Sequence, residues 1–205
     1  MIDKLTEQNF SLYAAQSYNN PSCLDVLEFQ EDLNRIKYLK EDTENIAKLL
    51  KFQKKKIKTI FHFGEFSRIY QSFIQMDKCI ESNSIGTNEV FNFCLKNKIR
   101  LIYSATSATI GNNGNDKNLS PYAFSKSKNL ELLENLKRWF NFKYEVIFFY
   151  NVYGKNQIEN GKMATVIGIF EHQFKNQKYL TVVKPGTQTR RFTHIDDTID
   201  ACLLA

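Results

Sequence analysis

Tyr122 and Lys126 stand four residues apart in the stretch NLSPYAFSKS (118–127), just behind Ser120 and Pro121. Serine is a favoured N-cap and proline suits the first helical position, so a helix is expected to start at Pro121. Its apolar side is carried by Leu130, Leu132, Leu133, Leu136, Trp139 and Phe140, which recur with helical spacing. Four residues is about one turn, so the phenol and the ammonium share a face. A phenol ordinarily titrates near ~10 and is a poor base at neutral pH, whereas a neighbouring cation favours the phenolate. The pair is thus the least equipment that could take a proton from a hydroxyl. Taken alone it is also what a solvated helix surface carries, so it needs other groups beside it.

Such groups lie immediately upstream. The run YSATSATIGN (103–112) supplies several hydroxyls at the end of an apolar stretch, and hydroxyls there also serve loop backbone groups. What decides their placement is the pattern of elements around them. IKTIFHF (57–63), IRLIYSA (99–105) and YEVIFFY (144–150) are short apolar runs of strand length, separated by helical patterns over 75–97 and 121–141. Nearly continuous apolar strands between amphipathic helices predict a parallel sheet covered on both faces, an α/β fold. In such sheets ligands bind at the carboxyl ends of the strands, which is where 103–112 falls. Beyond Gly154 the sequence predicts a helix (163–176), a strand YLTVV (179–183), a Pro185-Gly186 turn, a strand RFTHI (191–195) and a helix from Asp196. Residues 19–40 read as one amphipathic helix, and residues 1–18 show no strand pattern.

Composition narrows the partners. The chain has 205 residues, 42% of them hydrophobic, enough for one good core. Its net charge of +6 invites nucleic acid, but the only dense basic run is KFQKKKIK (51–58), which reads as a solvated lysine surface, so no nucleic-acid partner is expected. No apolar run has membrane-spanning length and the first ten residues lack a signal-peptide pattern, so the expected location is cytoplasmic, with no membrane partner. Cys23, Cys79, Cys94 and Cys202 have no C-x-x-C spacing, and His62, His172 and His194 are scattered; packed thiols and no metal site are expected.

Five blocks in order make the chain similar to a known family: FHFGE (61–65), NSIGT (83–87), YSATSATIG (103–111) with SPYAFSK (120–126), YNVYG (150–154), and PGTQTRRFTHIDD (185–197). It resembles the NAD-dependent epimerase/dehydratase family, the extended short-chain dehydrogenases acting on nucleotide sugars, over about residues 38–205. The resemblance implies NAD as cofactor, a nucleotide-sugar substrate and a homodimer. It makes Tyr122 the general base on a sugar hydroxyl whose carbon gives up hydride. Lys126 would support the phenolate and bond the nicotinamide ribose, and Thr106 would bond the reacting oxygen and the phenol. By the same carry-over Asp42, Gly64 and Asn83 fall at the cofactor, Asp42 near the adenine, while Asn151 and Arg190 fall at the sugar and diphosphate. Family 4,6-dehydratases carry an Asp-Glu pair after the Thr106 position; Ser107 and Ala108 stand there instead, which favours a 4-epimerase-like reaction or simple oxidoreduction over dehydration.

The chain also departs from the family. A G-x-x-G-x-x-G turn, where the cofactor pyrophosphate rests on a helix N-terminus, is absent, because the first of the eight glycines is Gly64. Phe148 stands where many relatives have arginine, and Ile110 where tyrosine is usual. The fold expected is an incomplete Rossmann-like doubly wound sheet with part of a small C-terminal substrate domain. Three segments are expected: a helical leader of separate origin (1–40), similar to the opening of small marine-phage proteins; a partial NAD-binding domain lacking the first βα units (41–154); and a partial substrate-binding region (155–205). The missing turn sustains an alternative, a non-catalytic remnant unable to hold NAD.

Overall fold

The computed structural model describes residues 12–16, 36–161 and 164–205. Two units are distinguished, residues 1–148 with Ala205, and residues 149–204. In the first, strands β1 (Leu12–Gln16) and β2 (Ile36–Lys40) pair in parallel, Leu12 opposite Ile36 and Gln16 opposite Lys40. Strands β3 (Thr59–His62), β4 (Arg100–Thr106) and β5 (Tyr144–Phe149) form a second sheet with β4 in the middle. β3 and β4 are parallel, Thr59 opposite Arg100 and His62 opposite Tyr103. The predicted strand–helix alternation and α/β class are therefore present.

The first 40 residues depart from expectation. Leu12–Gln16 and Ile36–Lys40 are strands, where no strand and the end of a long helix were expected. IKYLK has the β-branched and aromatic character of a strand, and a parallel neighbour satisfies its backbone, which outweighs the helical spacing read across 19–40. Residues 19–35 of that expected helix, Cys23 among them, lie outside the described residues. Leu39 packs against the core, so β2 is tied to the sheet that follows.

Helices cover the sheet. After α1 (Ile46–Leu49) come α2 (Ile69–Ile74) and α3 (Met76–Ile80), then a wide π-type segment (Glu81–Gly86) leading into α4 (Thr87–Asn97). The sequence reads 75–97 as one helix; the structure keeps its course but widens its middle, a device common at functional positions. Helix α5 (Pro121–Phe140) starts as predicted: the Ser120 Oγ accepts from the Ala123 N–H at 3.0 Å, Pro121 fills the first turn, and Asn141 closes the helix at φ 52°. Val90, Phe91 and Cys94 of α4, Leu133 and Leu136 of α5, and Leu101 and Tyr103 of β4 form the core with Ile46 and Leu50. Burying each large side chain contributes about 1.5–3 kcal/mol. This packing holds the carboxyl end of β4 against the amino end of α5.

In the second unit β6 (Asn151–Tyr153) pairs in parallel with β7 (Phe192–His194), accompanied by helices α6 (Val166–Lys175) and α7 (Ile195–Leu204). The strand expected at 179–183 is not formed. Tyr179, Val182 and Val183 are largely exposed, and the segment is anchored instead by the Gln173 side chain, which bonds both the N–H and the hydroxyl of Thr181. Strand propensity without a neighbouring strand leaves the backbone to solvent. The turn closing this segment has the Gly186 N–H donating to the Val183 carbonyl at 2.9 Å.

Candidate active site

The site in the first unit forms where β4 ends and α5 begins. Thr106 is the last residue of β4, and its hydroxyl accepts from the Ala108 N–H at 3.3 Å as the chain turns through Ser107–Thr109. Tyr122 lies in the first turn of α5 and Lys126 one turn later, both buried. The Thr106 hydroxyl is close enough to the Tyr122 phenol to favour its ionised form. The structure therefore brings together the three residues expected to act, and buries all of them.

Burial is the main influence on Tyr122 and raises its pKa above the ordinary phenol value. The neighbouring Thr106 hydroxyl opposes it, the Glu65 carboxylate adds to it, and the Arg68 guanidinium pulls it back down. Lys126 Nζ is bonded to Glu65 Oε2 and to the Ser104 carbonyl, and lies 4.4 Å from the centre of the Tyr103 ring.

Glu65 was not among the residues singled out by the sequence. It follows Gly64 beyond β3, and its side chain is only 3% exposed. Its Oε1 accepts from the Thr87 hydroxyl at 2.9 Å, the Tyr103 hydroxyl at 3.0 Å and the Asn129 amide at 3.2 Å. Arg68, three residues later, was missed as well. The signal available was position: both follow the carboxyl end of a strand in an α/β pattern.

The expected cofactor residues are placed as follows. Asn83, in the π-type segment, is fully buried; its Oδ1 accepts from the Phe66 N–H at 2.7 Å and its Nδ2 donates to the Phe66 carbonyl at 3.0 Å and to Ser125 Oγ at 3.2 Å. It stitches the loop after β3 to α5. Gly64 is exposed, and a Cβ there would meet only the Thr43 methyl at 3.7 Å, so packing does not itself demand glycine. Asp42 caps the short 3-10 turn Thr43–Asn45 through its backbone, and Thr43 lies against Gly86. Asp42, Gly64 and Asn83 are thus gathered around the loops following β2 and β3.

Asn151 and Arg190 belong to the second unit. The Asn151 amide donates to the Arg191 carbonyl at 2.9 Å, and Arg190 is exposed, donating to the Thr189 carbonyl at 2.8 Å. The pairing of β6 with β7 brings them near one another. Among the described residues no group of three or more His, Cys, Asp or Glu could hold a metal ion, and no helix is long and apolar enough to cross a membrane. Cys79, Cys94 and Cys202 are buried free thiols, all three raised in pKa by burial, Cys94 to about 12.

Comparison with known proteins identifies the family. The family model described as NAD dependent epimerase/dehydratase matches residues 1–205. An ADP-L-glycero-D-manno-heptose-6-epimerase of Brachyspira hyodysenteriae is 30% identical over 185 residues, covering 82% of this chain and 57% of that protein. A dTDP-D-glucose 4,6-dehydratase of Dictyostelium discoideum is 24% identical, covering 94% of this chain and 51% of that one. The crystal structure of a UDP-glucose 4-epimerase with UDP-glucose from Thermotoga maritima superimposes with a TM-score of 0.83 at 20% identity, covering 99% of this chain and 67% of that one. The chain spans about half the length of the curated relatives it matches.

Proposed function

The chain belongs to the NAD-dependent epimerase/dehydratase family, and from that premise we propose that it serves a nucleotide-sugar epimerase of the 4-epimerase type. The observation that carries this reading is the buried convergence of Thr106, Tyr122 and Lys126 where β4 meets α5. Tyr122 takes the proton of a sugar hydroxyl, and the Thr106 hydroxyl, beside the phenol, orients the reacting oxygen. Lys126 stands one turn along the same helix, held by Glu65 and the Ser104 carbonyl. Ser107 and Ala108 bring no carboxylate to this turn, which supports epimerisation over elimination of water. Asn151 and Arg190 take the sugar and diphosphate, Arg190 being a charged fork suited to phosphate oxygens.

The residues present meet only part of the demand of NAD. The buried Lys126 ammonium and the open face of Gly64 suit the nicotinamide end, and Asp42 the adenine end, with Asn83 bracing the loop between β3 and α2. No G-x-x-G-x-x-G turn for the pyrophosphate occurs in the 205 residues. NAD, when bound, supplies the hydride acceptor; the steps assigned above are proton transfer and orientation by this chain's own groups. That missing turn favours a second reading, a family member that retains the sugar-end groups and does not hold NAD.

Calorimetric titration with NAD, followed by NMR assay of a nucleotide-sugar panel with NAD added, separates the readings. Micromolar binding and inversion at the sugar C4, lost in Tyr122→Phe, is the expected result. A folded chain that binds no NAD and turns over no sugar leaves the second reading standing.

A further inference from the structure

Glu65 makes four side-chain contacts in a place where a carboxylate is costly. Three neutral donors, Thr87, Tyr103 and Asn129, converge on one oxygen, and the Lys126 ammonium holds the other. A buried carboxylate so completely satisfied is rigid, because moving it would strand several polar groups at once. Glu65 sits in the loop after β3 and its partners come from three further elements: α4 carries Thr87, β4 carries Tyr103, and α5 carries Asn129 and Lys126. Lys126 is therefore not a free arm reaching for a ligand but one end of a fixed pair.

We propose that Glu65 is a positioning residue: its buried carboxylate pins the Lys126 ammonium against the end of β4 and so keeps the cation in a fixed relation to the Tyr122 phenol. The inference rests on the reading of Tyr122 and Lys126 as the reacting pair. It has an electrostatic consequence. The charged and titratable groups acting on Tyr122 are Glu65 and Arg68 from the loop after β3, Cys79 from α3 and Tyr103 from β4, with Lys126 one turn along α5. Glu65 is the carboxylate of this set, and its negative charge resists formation of the phenolate. The lysine is thus held firmly at the expense of a smaller phenolate fraction in the tyrosine.

Glu65→Gln preserves the shape and removes the charge. Tyrosine Cζ NMR, with the Tyr122 signal identified by its loss in Tyr122→Phe, reads the phenol without any turnover. The Tyr122 signal should begin to titrate about one pH unit lower in Glu65→Gln than in the wild type. The rising limb of kcat/KM against pH should move in the same direction, while its plateau falls at least tenfold, since Lys126 is no longer pinned. A merely structural Glu65 would lower activity without moving either curve. Coincident Tyr122 curves, including two flat ones, overturn the proposal.

If Glu65→Gln does not fold, the double variant Glu65→Gln/Lys126→Met decides. Recovery of a cooperative melt supports the pairing, and continued failure to fold shows that Glu65 serves the core rather than the lysine. A shifted Tyr122 titration in a chain that turns over no nucleotide sugar sinks the functional reading and leaves the Glu65 link intact. Turnover that requires Tyr122, combined with curves unmoved by Glu65→Gln, sinks the Glu65 proposal alone.

Discussion

His62 Nε2 and Thr87 Oγ1 lie 2.8 Å apart in the interior, and the same Thr87 hydroxyl reaches Glu65 Oε1 at 2.9 Å. The carboxylate can only accept, so Thr87 spends its single proton there and accepts from the imidazole. This fixes His62 as the neutral tautomer with its proton on Nε2. The relay from β3 through α4 to Glu65 and Lys126 explains why a histidine is buried beside the candidate site without itself being aimed at a substrate.

Burial lowers the His62 pKa to about 4, with Glu65 opposing and Lys126 reinforcing the shift. Above pH ~6.5 the residue is neutral in both folded and unfolded chains. Between that value and about 4 the unfolded chain takes up a proton that the native state refuses, so stability falls as pH falls through this window. The His62 contribution to this loss is about 3 kcal/mol, reached near the lower end. Urea unfolding at pH 7 and pH 4.5 should show a steeper decline for the wild type than for His62→Gln; parallel declines would mean that His62 does not control acid stability.

Tyr122→Phe removes one hydroxyl, and its interaction with the Thr106 hydroxyl, from a buried site. Unfolding free energy should change by no more than about 1.5 kcal/mol. Turnover of a nucleotide sugar should fall by roughly 10²–10⁴-fold, the usual contribution of a positioned general base. Thr106→Val should give a smaller loss, because the phenol remains. Kinetics and melting measured on the same preparations would separate a chemical defect from a folding one.

Lys126→Met leaves the Glu65 carboxylate buried with its three neutral donors but without its cation. Breaking a buried pair by removing one partner costs about 3–5 kcal/mol, so this variant should be the least stable of the site substitutions. Denaturant titration should place its midpoint well below those of Tyr122→Phe and the wild type. An unchanged midpoint would mean that the pair is open to water in solution.

Local signals made part of the site legible. Ser120, Pro121 and the apolar side of α5 specify where that helix starts, and the start alone sets Tyr122 and Lys126 on one face. The apolar run that marks β4 ends in several hydroxyls, and it was the family resemblance that singled out Thr106 among them. Glu65 was not, since its importance arises only when α4, β4 and α5 converge on the loop after β3, and a single Gly-Glu after a strand carries no period. The errors at Ile36–Lys40 and 179–183 have the same root. A strand is stabilised by its neighbour, so IKYLK forms one beside Leu12–Gln16, while YLTVV, exposed and held only by Gln173, does not.

Gly86 offers a test of how the loop carrying Asp42 is held. It ends the π-type segment, and a Cβ placed on it would come within 2.2 Å of Thr43 Oγ1 and 3.4 Å of Thr43 Cβ. Gly86→Ala therefore has two opposing effects. Alanine stabilises a helical position by about 1 kcal/mol over glycine, whereas forcing Thr43 aside costs about 1–3 kcal/mol. The second should win, and Gly86→Ala alone should be destabilising. Thr43→Ala removes the hydroxyl that the new methyl would strike and leaves the neighbouring carbon at a distance that small adjustments accommodate. In a thermodynamic cycle the double variant should recover most of the loss, with a coupling of about 1–2 kcal/mol between the two positions. Strict additivity would mean that the turn at Thr43–Asn45 does not rest on Gly86 in solution, and the placement of Asp42 beside the β3 loop would fall with it.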